Sequence, residues 1–389
     1  MKLTLKQEEG LKIAVERYKN KEKYTCIAGF AGTGKSTLVK FIVAALDLPE
    51  DDVCYATFTG KAAQVLLKKG NRNVFTLHKL LYKSIPLKNG KFLKKPVDFV
   101  PYKVVIVDEV SMVPKHLIDL LFSYNIYVIC LGDPFQLPPI NKKEDNGLLS
   151  KPHVFLDEIM RQAMDSEIIR LSMDVRLGNK IEFSKGNEVI VDRKKTLNTG
   201  MLTWADEILV ATNKTRLLIN QQVRQLLGKG PMPEDGDKII CLKNYWEIFA
   251  DNDDPLVNGT IGYLCNPIEK RVTLPLVGLE TKRVDVLMAN FRADNNAYFN
   301  WIDIDKNMIL TGEKSCTWED EYVLKRKKET ADLVPLEFSY GYAITCHKAQ
   351  GSEWDKVLVL EESFPHGEDH ARWLYTAITR AASRLVLIR

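Results

Sequence analysis

Residues 24–36 read YTCIAGFAGTGKS. Tyr24–Ala28 is a short apolar run of buried-strand type. Gly29, Gly32 and Gly34 then set out the pattern G-x-x-x-x-G-K-[ST], which closes on Lys35 and Ser36, and a helical stretch runs on to Leu46. A strand, a glycine turn and a helix in that order let the backbone wrap closely, with amides aimed at phosphate oxygens and the positive helix end behind them. Lys35 is then placed to reach the β- and γ-phosphates of a nucleotide, and the Ser36 hydroxyl to ligate Mg²⁺. Gly29, Ala31, Gly32, Thr33, Gly34 and Thr37 complete the expected nucleotide-binding set.

About seventy residues downstream, 104–109 read VVIVDE, an apolar strand ending in two carboxylates. A carboxylate at a strand end facing the glycine loop can hold Mg²⁺ through water, the role expected of Asp108. Glu109 beside it would orient and deprotonate the attacking water. Many strands end in acidic residues, but paired with the glycine loop this one points to a nucleotide triphosphatase, with ATP and Mg²⁺ as its expected ligands.

Working outward, 53–57 (VCYAT), 103–108 (KVVIVD) and 126–131 (IYVICL) are further strand-type runs, with a helix expected over 60–69. The alternation predicts a parallel sheet with helices on both faces. A second set follows: strands at 207–211, 356–360 and 384–388, and helices at 213–227 and about 369–381. Two segments break the pattern. Residues 82–97 (YKSIPLKNGKFLKKPV) carry Asn89-Gly90, a strong hairpin signal. Phe92 stands near the tip of that hairpin, with Lys88, Lys91, Lys94 and Lys95 around it. Residues 230–335 hold short β-type runs broken by Gly, Asn and Pro, which predict a small β-rich insertion. Residues 313–332 are strongly charged and read as a solvated helix or loop. Tyr245, Trp246, Trp301 and Trp318 are expected in the core of the insertion.

The bulk numbers fit a soluble globular protein of two to four domains: 389 residues, 45% hydrophobic, 27% charged, and a net charge of +4 that does not by itself announce a nucleic-acid binder. The seven cysteines are scattered and mostly in apolar surroundings, as expected of free thiols in a reducing compartment. His366 and His370 are four apart and could share a helix face, but the string is HGEDH and not HExxH, and it follows a proline, so no metal site is expected there. The polar N-terminus and the lack of a long apolar run point to a cytoplasmic protein without membrane association.

Five further strings narrow the class: ATFTGKAA at 56–63, DEVSM at 108–112, GDPFQLPP at 132–139, TCHKAQGSE at 345–353 and LYTAITR at 374–380. Together they resemble the motif set of superfamily 1 helicases, and HKAQG resembles the RecD/Dda group, which moves 5′ to 3′. The resemblance runs from about Gln7 to Arg380 and is weakest over 80–100 and 230–335. It implies an α/β fold of two RecA-like parallel-sheet lobes: 1–150 with a β-hairpin pin at 80–100, and 151–232 with 336–389. It also implies an SH3-like barrel inserted at 233–335.

The resemblance further implies roles for single residues. Gln7 resembles the adenine-reading glutamine, with a surface glutamine as the plainer alternative. Gln136 resembles the residue that senses the γ-phosphate. Arg380 resembles the arginine finger, Arg161 a second phosphate-contacting arginine, and Glu353 a nucleotide contact. On the strand, Thr57, Thr59, Lys61, Thr76 and His78 of the first lobe and Thr345, His347 and Lys348 of the second are expected to grip phosphates. Phe58 would stack on a base, although the family more often has proline there, and Phe92 would act as a wedge at a duplex junction. The implied partners are single-stranded DNA and duplex junctions, engaged by a monomer. Three readings stay open: a helicase, a strand translocase or protein remodeller without efficient unwinding, and a nucleotide-switched binding module. An RNA track also remains compatible with backbone grip and stacking.

Overall fold

Val104–Val107 and Tyr127–Gly132 are buried at every position, and Tyr24–Gly29 and Val53–Thr57 at almost every one. Apolar on both faces, these strands can persist only under helices on either side, which is the condition for a parallel sheet. The computed structural model places them in a six-stranded sheet ordered Val74–Thr76, Val53–Thr57, Val104–Val107, Tyr127–Gly132, Tyr24–Gly29, Val154–Leu156. Every pairing is parallel, with Cys26 beside Cys130 and Ala56 beside Val107. The structure describes residues 3–86, 92–139, 142–252, 254–276, 280–326 and 328–389. It describes side chains throughout these except at 84–86, 92–94, 142, 161–162, 246 and 328.

Two helices close one core of this sheet. Leu5–Lys19 starts at a capping box in which Thr4 and Gln7 satisfy each other's amides. Lys35–Ala45 buries Leu38, Val39 and Ile42 against Ile27, Ile106 and Ile129. Each fully buried Leu or Ile contributes roughly 1.5–3 kcal/mol relative to exposure.

A second sheet carries Glu207–Val210, Trp354–Leu360, Ala381–Ile388 and Val189–Asp192 side by side and parallel, with short Ser184–Lys185 antiparallel at the edge. Helix Glu368–Ile378 packs by burying Trp373, Leu374, Tyr375 and Ala377. Both sheets belong to one compact unit made of Met1–Leu81, Val97–Ala211 and Thr345–Arg389.

The other unit comprises Tyr82–Pro96 and Thr212–Ile344. Its hairpin strands Tyr82–Pro86 and Phe92–Pro96 pair antiparallel, from Tyr82 opposite Pro96 to Pro86 opposite Phe92. The turn at 87–91, with Lys88, Asn89, Gly90 and Lys91, lies outside the described residues. So do the side chains of Phe92 and Lys94.

The larger part holds helix Asn213–Leu226, the pair Tyr245–Phe249 and Pro255–Leu256, and a sheet of five antiparallel strands ordered Tyr298–Asp305, Thr281–Ala293, Ile261–Pro275, Lys238–Cys241, Phe338–Tyr340. Ile304 bridges to Leu336, where the Asp305 amide donates to the Leu336 carbonyl at 2.9 Å and the Leu336 amide to the Asp303 carbonyl at 2.8 Å. Through this one bridge the segment leading into Phe338–Tyr340 meets the first strand, so the sheet curls round on itself as a small barrel. Phe291 fills its core, stacked on Phe299 at 5.8 Å and edge-on to Phe338 at 5.1 Å. Tyr245 is buried as expected, but Trp301 is 56% and Trp318 73% exposed. Trp318 begins a short helix, Trp318–Leu324, whose inward positions are taken by Leu324 and by ion-paired Asp320 and Glu321, so the indole faces outward. The side chain of Trp246 lies outside the described residues. Among the described residues no helix is long and apolar enough to cross a membrane.

Candidate functional site

In the first sheet the carboxyl ends of the strands form one edge, where ligands of parallel sheets bind. In sheet order that edge presents Thr76, Thr57, Asp108, Gly132 and the turn after Gly29. The strand-gripping candidates therefore occupy one end of the edge and the nucleotide candidates the other.

At the nucleotide end, Gly32 and Gly34 take φ of +76° and +77°, and Gly34 caps helix Lys35–Ala45. A Cβ on Gly34 would stand 2.6 Å from Gln7 Nε2, so only glycine fits both the backbone and the space. Lys35 Nζ donates to the carbonyls of Gly29 at 2.6 Å and Phe30 at 3.0 Å, leaving the third ammonium proton for another acceptor. A cavity of about 540 Å³ opens here, lined by Ala31, Gly32, Lys35, Ser36 and Thr37. The same cavity takes in Asp108, Glu109, Asp133 and Gln136 from the first sheet and Ser352, Glu353, Thr379 and Arg380 from the second.

Asp108 is surrounded by protein except where it faces this cavity, and accepts the Glu109 amide at 2.9 Å. Burial, and then the charge of Glu109, push its carboxyl well above the usual carboxylate range, while Lys35 pulls the other way. A buried carboxylate so raised favours the approach of a cation. With the Ser36 hydroxyl it offers the hard oxygen donors that suit Mg²⁺. Glu109 itself adopts φ +53°, a left-handed conformation costly for a residue with a long side chain.

Gln136 is 6% exposed and lies between Glu109 and Arg380. With its amide nitrogen toward the carboxylate it donates to Glu109 Oε2 at 3.1 Å and accepts from Arg380 Nη2 at 3.2 Å. The opposite orientation would set oxygen against carboxylate and nitrogen against guanidinium. Arg380, also 6% exposed, is further held by the carbonyls of Thr376 at 3.1 Å and Ser352 at 3.2 Å. A carboxylate, an amide and a guanidinium are thus joined in one line along the cavity.

Other predicted residues stand differently. Gln7 is 1% exposed; its Oε1 accepts the Thr4 amide at 3.0 Å and its Nε2 donates to the Thr33 carbonyl at 3.1 Å. Its amide is committed to its own helix cap and to the glycine loop. Glu353 lines the cavity and faces Lys69 at 3.7 Å. Arg161 begins helix Arg161–Met164, and the preceding Met160 amide donates to Gly32 O at 3.0 Å, so this backbone abuts the glycine loop. The Arg161 side chain lies outside the described residues.

Two residues within the quoted strings received no role from the sequence. Tyr375 Oη accepts the Ala31 amide at 2.8 Å and donates to Asp133 Oδ2 at 2.5 Å. Burial, opposed by Lys35, raises the Asp133 carboxyl, and burial raises the Tyr375 phenol. Nothing local in the sequence announces a bond between residues 344 apart.

At the other end of the edge, Thr57 Oγ1 donates to the Thr59 carbonyl at 2.8 Å, and Thr59 Oγ1 caps helix Gly60–Lys68 through the Ala62 amide. Thr76 Oγ1 accepts the Lys79 amide at 3.2 Å. Phe58 and His78 lie with ring centroids 5.9 Å apart, and Lys61 lies in the first turn of the helix that Thr59 caps. From the second sheet, Gly351 at φ +74° comes so close that a Cβ would stand 2.9 Å from Ala62 Cβ and 3.1 Å from Thr59 Oγ1. Gly351, which follows the segment Thr345–Gln350 that carries His347 and Lys348, therefore abuts Thr59 and Ala62 within one unit. Burial lowers the His347 imidazole, favouring its neutral form.

Residues 6–191 match the AAA domain family and 340–388 the UvrD-like helicase C-terminal domain. The chain is 29% identical over 396 residues to the ATP-dependent RecD2 DNA helicase of Deinococcus radiodurans, covering 92% of this chain but only 46% of that protein. It is 32% identical over 481 residues to the uncharacterized protein R530 of Acanthamoeba polyphaga mimivirus, covering 94% of this chain and 95% of the other. In fold it is similar to the Pif1 helicase from Bacteroides in complex with ADP-AlF3 and ssDNA, with TM-score 0.53, 17% identity, and coverage of 100% of this chain and 92% of that one. By these matches and by the motifs that meet in one cavity, the chain belongs to the superfamily 1 helicases, in the RecD/Dda-like group.

Proposed function

We propose that this chain hydrolyses ATP in the 540 Å³ cavity and uses the cycle to move 5′ to 3′ along single-stranded DNA and open duplex. The observation that carries the reading is the line Glu109–Gln136–Arg380. An acid at a strand end and an arginine from the second sheet are joined by one amide in a buried setting. Any group that changes charge between them is felt at both ends.

In this reading Lys35 and the loop amides of Gly32 to Thr37 hold the phosphates. Ser36 and Asp108 would hold Mg²⁺, which would supply neutralisation of phosphate charge. Glu109 orients the attacking water and accepts its proton. Arg380, with Arg161, stabilises charge on the transferring phosphoryl group. Gln7 supports the loop from behind and Glu353 stands at the mouth. The lobes 1–150 and 151–232 with 336–389 close on nucleotide, and the insertion at 233–335 is accessory.

The strand follows the edge from Thr345, His347 and Lys348 to Thr57, Phe58, Thr59, Lys61, Thr76 and His78. Gly351 keeps the two gripping segments adjacent, so closing the cavity alters the grip. Phe92 at the hairpin is the proposed wedge.

The test is strand separation on two tailed duplexes, one with a 5′ and one with a 3′ single-stranded tail, with ATP and Mg²⁺. Opening of the 5′-tailed duplex alone is expected. Opening of the 3′-tailed one alone would reverse the polarity. Opening of neither, with ATP hydrolysis still stimulated by single-stranded DNA, would leave a translocase.

A further inference from the structure

The side chain of Tyr375 joins three segments that the proposed reaction needs in register. The Ala31 amide can only donate, so the phenolic oxygen accepts there, and its one proton is left for Asp133 Oδ2. The other Asp133 oxygen accepts the Phe135 amide at 2.9 Å. Tyr375 and Asp133 are each 1% exposed, so water cannot replace either partner.

The same helix turn grips the 133–137 segment at three more points. Thr376 Oγ1 accepts the Leu137 amide at 3.0 Å, Arg372 Nη1 donates to the Pro134 carbonyl at 3.1 Å, and the Phe135 ring meets Tyr375 edge-on at 5.2 Å. Gln350 Nε2 holds the Leu137 carbonyl at 2.7 Å from another segment of the second sheet. Of all these contacts, only the Tyr375 hydroxyl also touches the glycine loop.

We infer that Tyr375 is a positioning residue for ATP hydrolysis. Its hydroxyl sets the helix that leads to Arg380 against Ala31 on one side and Asp133 on the other. That fixes where Arg380 and Gln136 stand relative to Glu109. Nothing in this requires Tyr375 to touch the nucleotide, so its loss falls on the chemical step and not on binding. The inference rests on the proposed ATPase reading.

The experiment compares the full chain with Tyr375→Phe, which keeps the ring and its packing and removes only the hydroxyl. Steady-state ATP hydrolysis is measured with and without a single-stranded oligonucleotide, together with ADP affinity by fluorescent-analogue titration and the melting temperature. The expected result is about a tenfold fall in kcat, with KM for ATP and the ADP Kd within about twofold of the parent. An unchanged kcat overturns the inference. So does a weakened ADP Kd with kcat retained, which would make the hydroxyl a shaper of the loop alone.

Asp133 gives a second handle if Tyr375→Phe folds poorly. Asp133→Ala removes the acceptor and is expected to lower kcat about as much, with KM for ATP and the ADP Kd again within about twofold of the parent. An unchanged kcat in that variant, or a weakened ADP Kd with kcat retained, overturns the inference. Absence of hydrolysis by the parent chain sinks the ATPase reading itself, an outcome distinct from any of these.

Discussion

Asp108 and Glu321 are both carboxylates held among protein atoms, one at the cavity of the parallel-sheet unit and one in the barrel unit, and they are driven in opposite directions. Burial raises Asp108 and the neighbouring Glu109 charge adds to it, and the opposing pull of Lys35 does not offset them. Burial would raise Glu321 too, but hydrogen bonds from Lys325 and Lys243 draw it down to about 2. The barrel repeats this elsewhere. Arg224 clasps Asp237 through two bonds of 3.0 Å, and the Glu234 amide and Tyr342 hydroxyl take up the remaining lone pairs. One unit completes its charges internally, and the other leaves them short of partners where a ligand would bring charge. Uncompensated buried charge of this kind marks a working site more reliably than the number of acidic residues.

That contrast can be broken by experiment. The largest expected effect is Lys35→Ala, which should cut ATP hydrolysis by at least about a hundredfold while single-strand binding stays near the parent value. Undiminished turnover would remove the cavity from the chemistry. Asp237→Ala should act on stability instead, costing about 3–5 kcal/mol because Arg224 is left buried and unpaired. Denaturant unfolding measures this, and a loss below about 1 kcal/mol would mean the pair is not shielded as described.

A matched pair sharpens the comparison. A carboxyl raised on folding binds protons more tightly when folded, so its contribution to stability falls as pH rises above the ordinary carboxylate value. Asp108→Asn should therefore raise the melting temperature at pH 7.5 while abolishing turnover. Glu321 is lowered from 4.5 to about 2, so its contribution is present above pH 4.5 and lost as pH falls from there toward 2. Glu321→Gln should lower the melting temperature at pH 7.5 and flatten its decline in acid. Shifts of the same sign in the two variants would undo the contrast. The smallest effect expected is at the hairpin. Phe92→Ala should slow unwinding several-fold and leave strand-stimulated hydrolysis within about twofold, as loss of one stacking contact implies. Equal slowing of both would make Phe92 a structural residue.

The glycine loop, the Val104–Val107 strand and the paired acids are legible in the sequence because each is local. Spacing within about a dozen residues determines the turn, the helix start and the strand end. Gln136 and Arg380 were legible as members of strings, but not their meeting through one amide. Asp133 and Tyr375 sat inside quoted strings and escaped notice, because a hydroxyl's partner is decided by tertiary packing and leaves no periodicity. Gly351 stands in the sequence only as the last residue of HKAQG, and the fold shows that Ala62 and Thr59 press against it and that its φ is positive. The two outward tryptophans, Trp301 and Trp318, mislead for a related reason. Composition tells what is apolar, while the side a helix or strand turns inward is set by its other residues.

Glu109 occupies a backbone position at φ +53° that glycine or asparagine would hold with less strain, while its place beside Asp108 and Gln136 asks for a long carboxylate. Substitutions that relax the backbone there would be welcomed by selection for robustness and rejected by selection for turnover. A lineage that stopped needing hydrolysis would be expected to lose this glutamate early, and its replacement in a relative would be an economical sign of a fold kept for binding alone.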